Sequence, residues 1–411
     1  MSKKDDIHEK ITKFYLTSGD FNGLPIKLTN CKPELKGILI SLIQEDKISL
    51  VFGDTFPNPH IKPFLAEPKE KQVEKLQNLD SEYCCAYPSL SHLKEVIDPS
   101  EYRDRPFTFR LALGEPQLSF ESFDLSVLEF YRNDPRYYYR NDNITGSIGV
   151  HSEDMPESDQ VLLKFGFSHD PDLNRAVAVY LRYLSGLTPQ HQQIWNGKIL
   201  EGDYILHPDY YRSSILGKWY ERISIFQAFT LELHHINKMC KLIGRPPLFK
   251  DEEINDRRFS FLMRPTLKEY SDFMHLLDKA ISENINRKFF RDDASFEYDE
   301  VRKDGKVVVR QKGTIQILDD WLKLMYRADD RKPIEEMIDT FKQIRQLRQR
   351  PAHAIDDDVF DQKYFKQQRT LIIKAYKAIR LLRLIFANHP SVAGSGYTIP
   401  DCLQSGKIWD I

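Results

Sequence analysis

The sequence predicts an α+β protein, in which a β-rich, mixed N-terminal region over residues 1–205 precedes a mainly α-helical domain over residues 206–411. Three observations predict this class. Pro and Gly interrupt the first half often, and its apolar residues form short runs typical of strands. From about Tyr211 onward, apolar residues recur at helical spacing. Asp304-Gly305, between two β-rich runs, predicts a β-hairpin inserted at about residues 294–312.

The first half contains several segments with local signals. Residues 39–52 have the pattern of two strands joined by a polar turn, and residues 107–130 contain further β-rich runs. Residues 175–185 have a helical pattern that ends at a glycine. Residues 132–140 interleave Arg and Tyr, a composition that fits single-stranded nucleic acid or, more commonly, packing of a tyrosine-rich loop on its own domain.

The second half contains five segments with helical periodicity, and the first of them is followed by a glycine and two prolines that end a helix. The five segments are residues 220–243, 267–286, 314–327, 333–350 and 361–388. The last of them is strongly basic, and its Lys and Arg side chains fall mainly opposite its apolar stripe. These residues are Lys363, Lys366, Arg369, Lys374, Lys377, Arg380 and Arg383. A solvated face of this kind is common, but it also fits a track for phosphate groups.

Two arginines near the end of the fourth helix occupy unusual positions. At about 100° per residue, its apolar residues fall on one stripe with Phe341, and Arg345 and Arg348 point along that stripe, whereas Arg350 points away. A guanidinium keeps its charge, so placing it on a packing face costs free energy unless an anion or a hydrogen-bonding partner lies there. This placement indicates either a functional site or a structural ion pair.

Arg348, four intervening residues and His353 resemble the Arg-x4–6-His signature of HEPN domains. The resemblance covers about the last half of the chain, and it includes a long helix before the motif and a strong helix after it. One departure is Gln349, where the family often has Asn, Asp or His. The resemblance implies that the C-terminal domain is a HEPN-like α-helical bundle with the hairpin as an insertion.

The family resemblance implies a metal-independent endoribonuclease, an RNA hydrolase without cofactors, which acts in antiviral defence or as a toxin in growth control. Arg348 and His353 are then the catalytic residues, with Arg345, Lys363, Lys366 and Arg369 in substrate binding. A histidine can transfer protons near neutral pH, and an arginine can stabilise the charge that grows on phosphorus. The implied partners are RNA, a second copy of the chain in a homodimer, and an inhibitor or sensor protein.

A non-catalytic interpretation of the same residues stays open. His353 could cap its helix, and Arg348 could pair with Asp319 or Asp320 on the preceding predicted helix. The C-terminal domain would then be a HEPN-like dimerisation or binding module, with an N-terminal domain that senses a ligand or partner.

Composition limits the other possibilities. The chain is 41% hydrophobic and 29% charged with a net charge of -2, which is typical of a soluble globular protein and makes any nucleic-acid site a local patch. Its five cysteines form no Cys-x2-Cys pair, and there is no P-loop, dinucleotide-binding glycine pattern or Gly-x-Ser-x-Gly motif. Adjacent His234 and His235 point in different directions on a helix, which disfavours a shared metal. Without an apolar run of transmembrane length or a signal peptide, we expect a cytoplasmic protein and no membrane partner.

Overall fold

A computed structural model of the chain describes residues 2–57, 67–79, 81–152, 154–254, 256–291, 293–327, 329–348 and 358–411. The chain divides into two compact units, Met1–Lys218 and Trp219–Ile411. Strands are concentrated in the first unit and helices in the second, so the predicted mixture of N-terminal sheets and C-terminal helices is confirmed.

The first unit contains two antiparallel sheets with short helices between their strands. Its helices are α1 (Lys3–Thr17), α2 (Pro33–Gln44), α3 (Lys69–Asn78), α4 (Leu90–Val96), α5 (Pro106–Ala112), α6 (Glu129–Arg132), α7 (Leu181–Ser185), α8 (Pro189–Asn196) and α9 (Pro208–Ser214). Its strands are β1 (Leu24–Lys27), β2 (Ile48–Gly53), β3 (Tyr83–Pro88), β4 (Phe120–Phe123), β5 (Tyr137–Asn141), β6 (Thr145–Val150), β7 (Leu162–His169), β8 (Arg175–Tyr180) and β9 (Ile205–Leu206). The smaller sheet has the order β1-β3-β2, and the larger has the order β4-β8-β7-β6-β5, with β9 also pairing with β7.

The division after Lys218 follows from pairing and packing in the larger sheet. Ser168 of β7 pairs with Leu206 of β9, which ties the segment after residue 205 to this sheet. The ring of Tyr210 in α9 then stacks on that of Tyr180 in β8, with their centroids 5.4 Å apart. Residues 206–218 therefore group with the first unit.

Three secondary-structure predictions in the first unit are wrong. Residues 39–44 belong to α2, because Leu39, Leu42 and Ile43 lie on one buried helix face. Residues 107–112 form α5, which starts at a proline in its first turn, while the strand expected later in that segment is β4. Residues 175–180 form β8 rather than a helix. All six residues are buried, so the segment has no exposed polar face from which a strand could be told apart from a helix.

The second unit is mainly helical. Its helices are α10 (Ile225–Leu242), α11 (Leu267–Asp278), α12 (Thr314–Met325), α13 (Lys332–Arg348), α14 (Gln362–Ala387), α15 (Pro390–Ala393) and α16 (Asp401–Gln404). A π-helical segment, Lys279–Glu283, continues α11 directly. The long helix α14 packs against α10, α13 and α11.

Local signals set the ends of the long helices. Ser224 caps α10 in a capping box with Gln227, and Gly244 after the helix has a left-handed φ of +79°. The side chain of Asp361 caps α14 by accepting a hydrogen bond from the backbone N–H of Lys363. The five helices predicted for this half of the chain are present, although α10 starts later than expected and α11 passes into the π-helical segment.

The predicted hairpin is also present. Strands β11 (Glu297–Val301) and β12 (Val307–Gln311) pair antiparallel, and Gly305 in their turn has a φ of +78°. A separate parallel pair joins β10 (Ile223–Ser224) to β13 (Ile408–Trp409). Within the described residues, no helix is both long enough and apolar enough to span a membrane.

Candidate functional site

The last turn of α13 carries the two arginines that the sequence analysis singled out. This helix buries an apolar face formed by Ile334, Met337, Ile338, Phe341 and Ile344. Arg345 and Arg348 lie at the margin of that face and are partly exposed, with 34% of the Arg348 side chain accessible. His353, the other predicted catalytic residue, lies outside the described residues, which end at Arg348 and resume at Asp358.

Arg348 is held by two carboxylates that differ in burial. Its Nη1 donates to Oδ2 of Asp278 at 2.7 Å and also to Oε1 of Glu283. The side chain of Asp278 is 1% exposed, whereas that of Glu283 is 46% exposed. Both contacts use the same nitrogen, so neither carboxylate occupies Nε or Nη2 of the guanidinium.

These partners differ from the ones that the sequence suggested. Asp319 pairs with Lys323 at 2.9 Å, and Asp320 pairs with Lys312 at 2.7 Å, so neither is the partner of Arg348. The anions that meet Arg348 belong to the same chain, since α11 and the segment after it supply them. Tertiary packing places these residues beside α13, and nothing in the sequence next to Arg348 indicates it.

Arg345 joins the same network through a buried hydroxyl. Its Nη1 donates to Oγ of Ser282 at 3.3 Å, and that hydroxyl donates to the carboxylate of Asp278. Ser282 is fully buried, and its backbone carbonyl accepts a hydrogen bond from Thr314 at 2.6 Å. The buried acid and serine therefore fix both arginines relative to the end of α11.

The electrostatics of this group favour its charged forms. The hydrogen bond from Arg348 lowers the pKa of Glu283, and the nearby charges of Arg345 and Lys279 act in the same direction. The hydrogen bonds to Asp278 and Glu283 raise the pKa of Arg348 further above its ordinary value. The arrangement thus places two arginines at the described end of α13, beside one buried acid and one exposed acid.

Asp278, Ser282 and Glu283 are not among the site residues predicted from the sequence. A usable signal was present for one of them. Asp278 lies four residues after Met274, on the buried face of α11, so it is an acid on an apolar stripe just as Arg348 is a base on one. Charges of opposite sign on two packing faces indicate a buried or half-buried ion pair.

The three predicted substrate-binding residues of α14 do not extend this network. Lys363 is exposed and pairs with Asp361 at 2.7 Å. Arg369 donates from Nε to the backbone oxygen of Asp410 and from Nη2 to its carboxylate, both at 2.9 Å. Lys366 is half-buried. Lys363 is thus held by the N-cap residue of α14 and Arg369 by Asp410, and neither contacts the arginines of α13 in the described part of the chain.

Arg383 is not part of any surface track, which corrects its assignment to the basic face of the last helix. The residue is 4% exposed, and its Nε donates to the fully buried carboxylate of Glu232 on α10. Arg383 and His389 also satisfy the Arg-x4–6-His spacing. Because this second arginine is a buried structural partner, the spacing alone does not identify a site.

The adjacent histidines of α10, His234 and His235, have separate partners. His234 lies 2.7 Å from the carboxylate of Glu252, through Nδ1. His235 is buried, and its Nδ1 lies 2.6 Å from the hydroxyl of Tyr397. Burial lowers the pKa of His235 to about 4, so this ring is neutral near pH 7. Across the described part of the chain, no group of three or more His, Cys, Asp or Glu side chains is arranged to hold a metal ion.

The Arg- and Tyr-rich segment of the first unit is engaged in packing. Tyr137 is buried at the start of β5, and the ring of Tyr139 stacks on that of Phe165 at an interplanar angle of 10°. Arg136 pairs with Asp134 at 2.7 Å and with Asp159 at 2.8 Å. These contacts favour the packing interpretation of residues 132–140 over a surface for nucleic acid.

Comparisons of the chain with protein-family models, with curated proteins and with solved structures gave no match.

Proposed function

We propose that the second unit is a HEPN-like, metal-independent endoribonuclease of the cytoplasm, with a role in antiviral defence or in toxin-like growth control. Arg348 and His353 form its catalytic pair, and Arg345 contributes to phosphate binding. The proposal rests on the sequence motif together with one structural observation. A buried acid anchors the Arg348 guanidinium through Nη1, while Nε and Nη2 stay clear of both carboxylate contacts.

This anchoring suits an arginine that must bind phosphate. A planar guanidinium presents parallel N–H groups to two oxygens of a phosphate, provided that its orientation is fixed beforehand. Asp278 is almost fully buried, and its carboxylate also accepts a hydrogen bond from the hydroxyl of Ser282. These contacts fix the position of the carboxylate. We therefore assign Asp278 as a positioning residue, which acts on the substrate only through Arg348.

The chemistry needs no metal, because RNA carries its own nucleophile in the 2′-hydroxyl group. His353 would transfer protons to or from the reacting oxygens, while Arg348 stabilises the charge that develops on the phosphoryl oxygens. Lys363, Lys366 and Arg369, on the helix after the motif, are proposed to contact flanking phosphates. We propose a homodimer in which two such motifs form one composite site, with the first unit recruiting an inhibitor or sensor protein.

One observation favours a second candidate, a non-catalytic HEPN-like dimerisation or binding module. The charge of Arg348 is already met by two carboxylates of its own chain, as in an ordinary structural ion pair. In that case, RNA has no role at this position.

The test is RNA cleavage by the full chain in the presence of EDTA. We expect the wild-type protein to cleave mixed RNA, and Arg348→Ala and His353→Ala to be slower by about 100-fold or more. Arg310→Ala is the matched control, since Arg310 is an exposed arginine that pairs with Glu300 on the hairpin of the same unit. It should cleave like the wild type.

Circular dichroism and urea unfolding of each variant separate a loss of chemistry from a loss of fold. If folded wild-type protein and folded variants are equally inactive toward RNA, the non-catalytic module is the better description. If the variants cleave as fast as the wild type, Arg348 and His353 are not the catalytic pair.

A further inference from the structure

The two carboxylates on Arg348 are not equivalent, and the difference concerns how an anion would enter the site. Asp278 is buried and belongs to a network with Ser282 and Arg345. Glu283 lies at the last position of the π-helical segment, and 46% of its side chain is exposed. An exposed ion pair of this kind contributes little to stability and can be exchanged for another partner at small cost.

Glu283 also occupies a place that its own helix does not favour. The C-terminal end of a helix carries partial negative charge, which repels a carboxylate. Glu283 is nonetheless the last residue before the cap at Asn284. What holds the carboxylate is its contact with Arg348 and the nearby charges of Arg345 and Lys279.

We infer that the Glu283 carboxylate stands in for a phosphate group, and that a phosphodiester of RNA displaces it from Arg348 while Asp278 stays in place. The exchange keeps the charge balance of the cluster, because one singly charged anion replaces another. Glu283 is then a built-in competitor that weakens RNA binding. This inference rests on the proposed RNA-binding role of the same site.

The experiment measures binding apart from cleavage, with a 2′-O-methyl RNA oligomer that lacks the reactive hydroxyl. Fluorescence anisotropy of a labelled oligomer gives the Kd for the wild-type chain and for Glu283→Gln, which keeps the side-chain shape but removes the charge. We expect Glu283→Gln to bind about three- to tenfold more tightly. The dependence of log Kd on log salt concentration should become steeper by about 0.7, because one more cation is left for the RNA to neutralise.

Glu300→Gln is the matched control, since Glu300 is an exposed carboxylate paired with Arg310 on the hairpin. It should change Kd by less than about twofold. In an Arg348→Gln background, Glu283→Gln should no longer tighten binding, because the contact that it relieves is already absent.

The inference is overturned if Glu283→Gln binds no more tightly than the wild type, if Glu300→Gln has the same effect, or if neither protein binds the oligomer. Cleavage of unmodified RNA is measured in parallel. Tighter binding by Glu283→Gln without any cleavage supports the anion exchange but refutes the ribonuclease. Cleavage by the wild type without tighter binding by Glu283→Gln supports the ribonuclease but refutes the anion exchange.

Discussion

Removing one partner of the buried ion pair between α10 and α14 should destabilise the second unit strongly. In Arg383→Met, an apolar side chain of similar length replaces the guanidinium and leaves the carboxylate of Glu232, which is 0% exposed, without its charged partner. Oε1 of that carboxylate is already buried without a hydrogen-bond partner among the described residues. An uncompensated buried charge of this kind costs about 3–5 kcal/mol.

That free energy converts into a measurable shift of the unfolding midpoint in urea. For a unit of this size, the slope of the unfolding free energy with urea is about 2–3 kcal/mol/M, so the midpoint should fall by about 1–2 M. Fluorescence of Trp321 and Trp409, both buried in the second unit, reports the transition. Lys377→Met, which changes an exposed residue of the same helix, should leave the midpoint nearly unchanged.

The double variant Glu232→Met/Arg383→Met tests the physical reason. Without either charge, no carboxylate is left unpaired, and stability should return to about the wild-type level or above it. A midpoint shift of less than about 0.3 M in Arg383→Met would refute the claim that an unpaired Glu232 carboxylate destabilises the second unit. A double variant as unstable as the single one would refute it too.

Two further predictions concern buried polar groups in the two units. Because the pKa of His235 is lowered to about 4 in the folded protein, its contribution to stability is complete above its ordinary pKa of about 6.5 and is lost as pH falls toward 4. His235→Gln should therefore reduce the acid destabilisation in this range by up to about 3 kcal/mol in urea titrations at several pH values. In the first unit, the hydroxyl of Tyr131 accepts a hydrogen bond from Nε1 of Trp195 at 2.9 Å. Tyr131→Phe leaves that buried N–H without its acceptor and should lower the unfolding free energy by about 1–3 kcal/mol, as followed by tryptophan fluorescence, to which Trp195 contributes. An unchanged unfolding transition would show that this hydrogen bond does not stabilise the first unit.

The long helices of the second unit could be predicted because their signals are local. Each helix is marked by capping residues, terminal glycines and apolar spacing that lie within a few turns of one another. The capping box at Ser224 and the glycine at position 244 are examples. The hairpin around Gly305 is predictable for the same reason, since its turn requires a positive φ. The wrong predictions concern short apolar runs such as residues 39–44 and 175–180. Such a run fits both a helix and a strand, and packing against neighbouring elements decides which of the two forms.

The sequence by itself placed Arg345 and Arg348 beside the packing face of one helix, where a guanidinium needs an anion or a hydrogen-bonding partner. Only the tertiary structure decided which anion, because Asp278 and Glu283 precede Arg348 by 70 and 65 residues and are brought to it by the packing of α11 against α13. The same holds for Arg383, whose angle on the helix suggested solvent until α10 placed the carboxylate of Glu232 against it. The physical reason is that periodicity fixes the direction of a side chain from its own helix axis, while the partner it meets depends on which distant segment packs there.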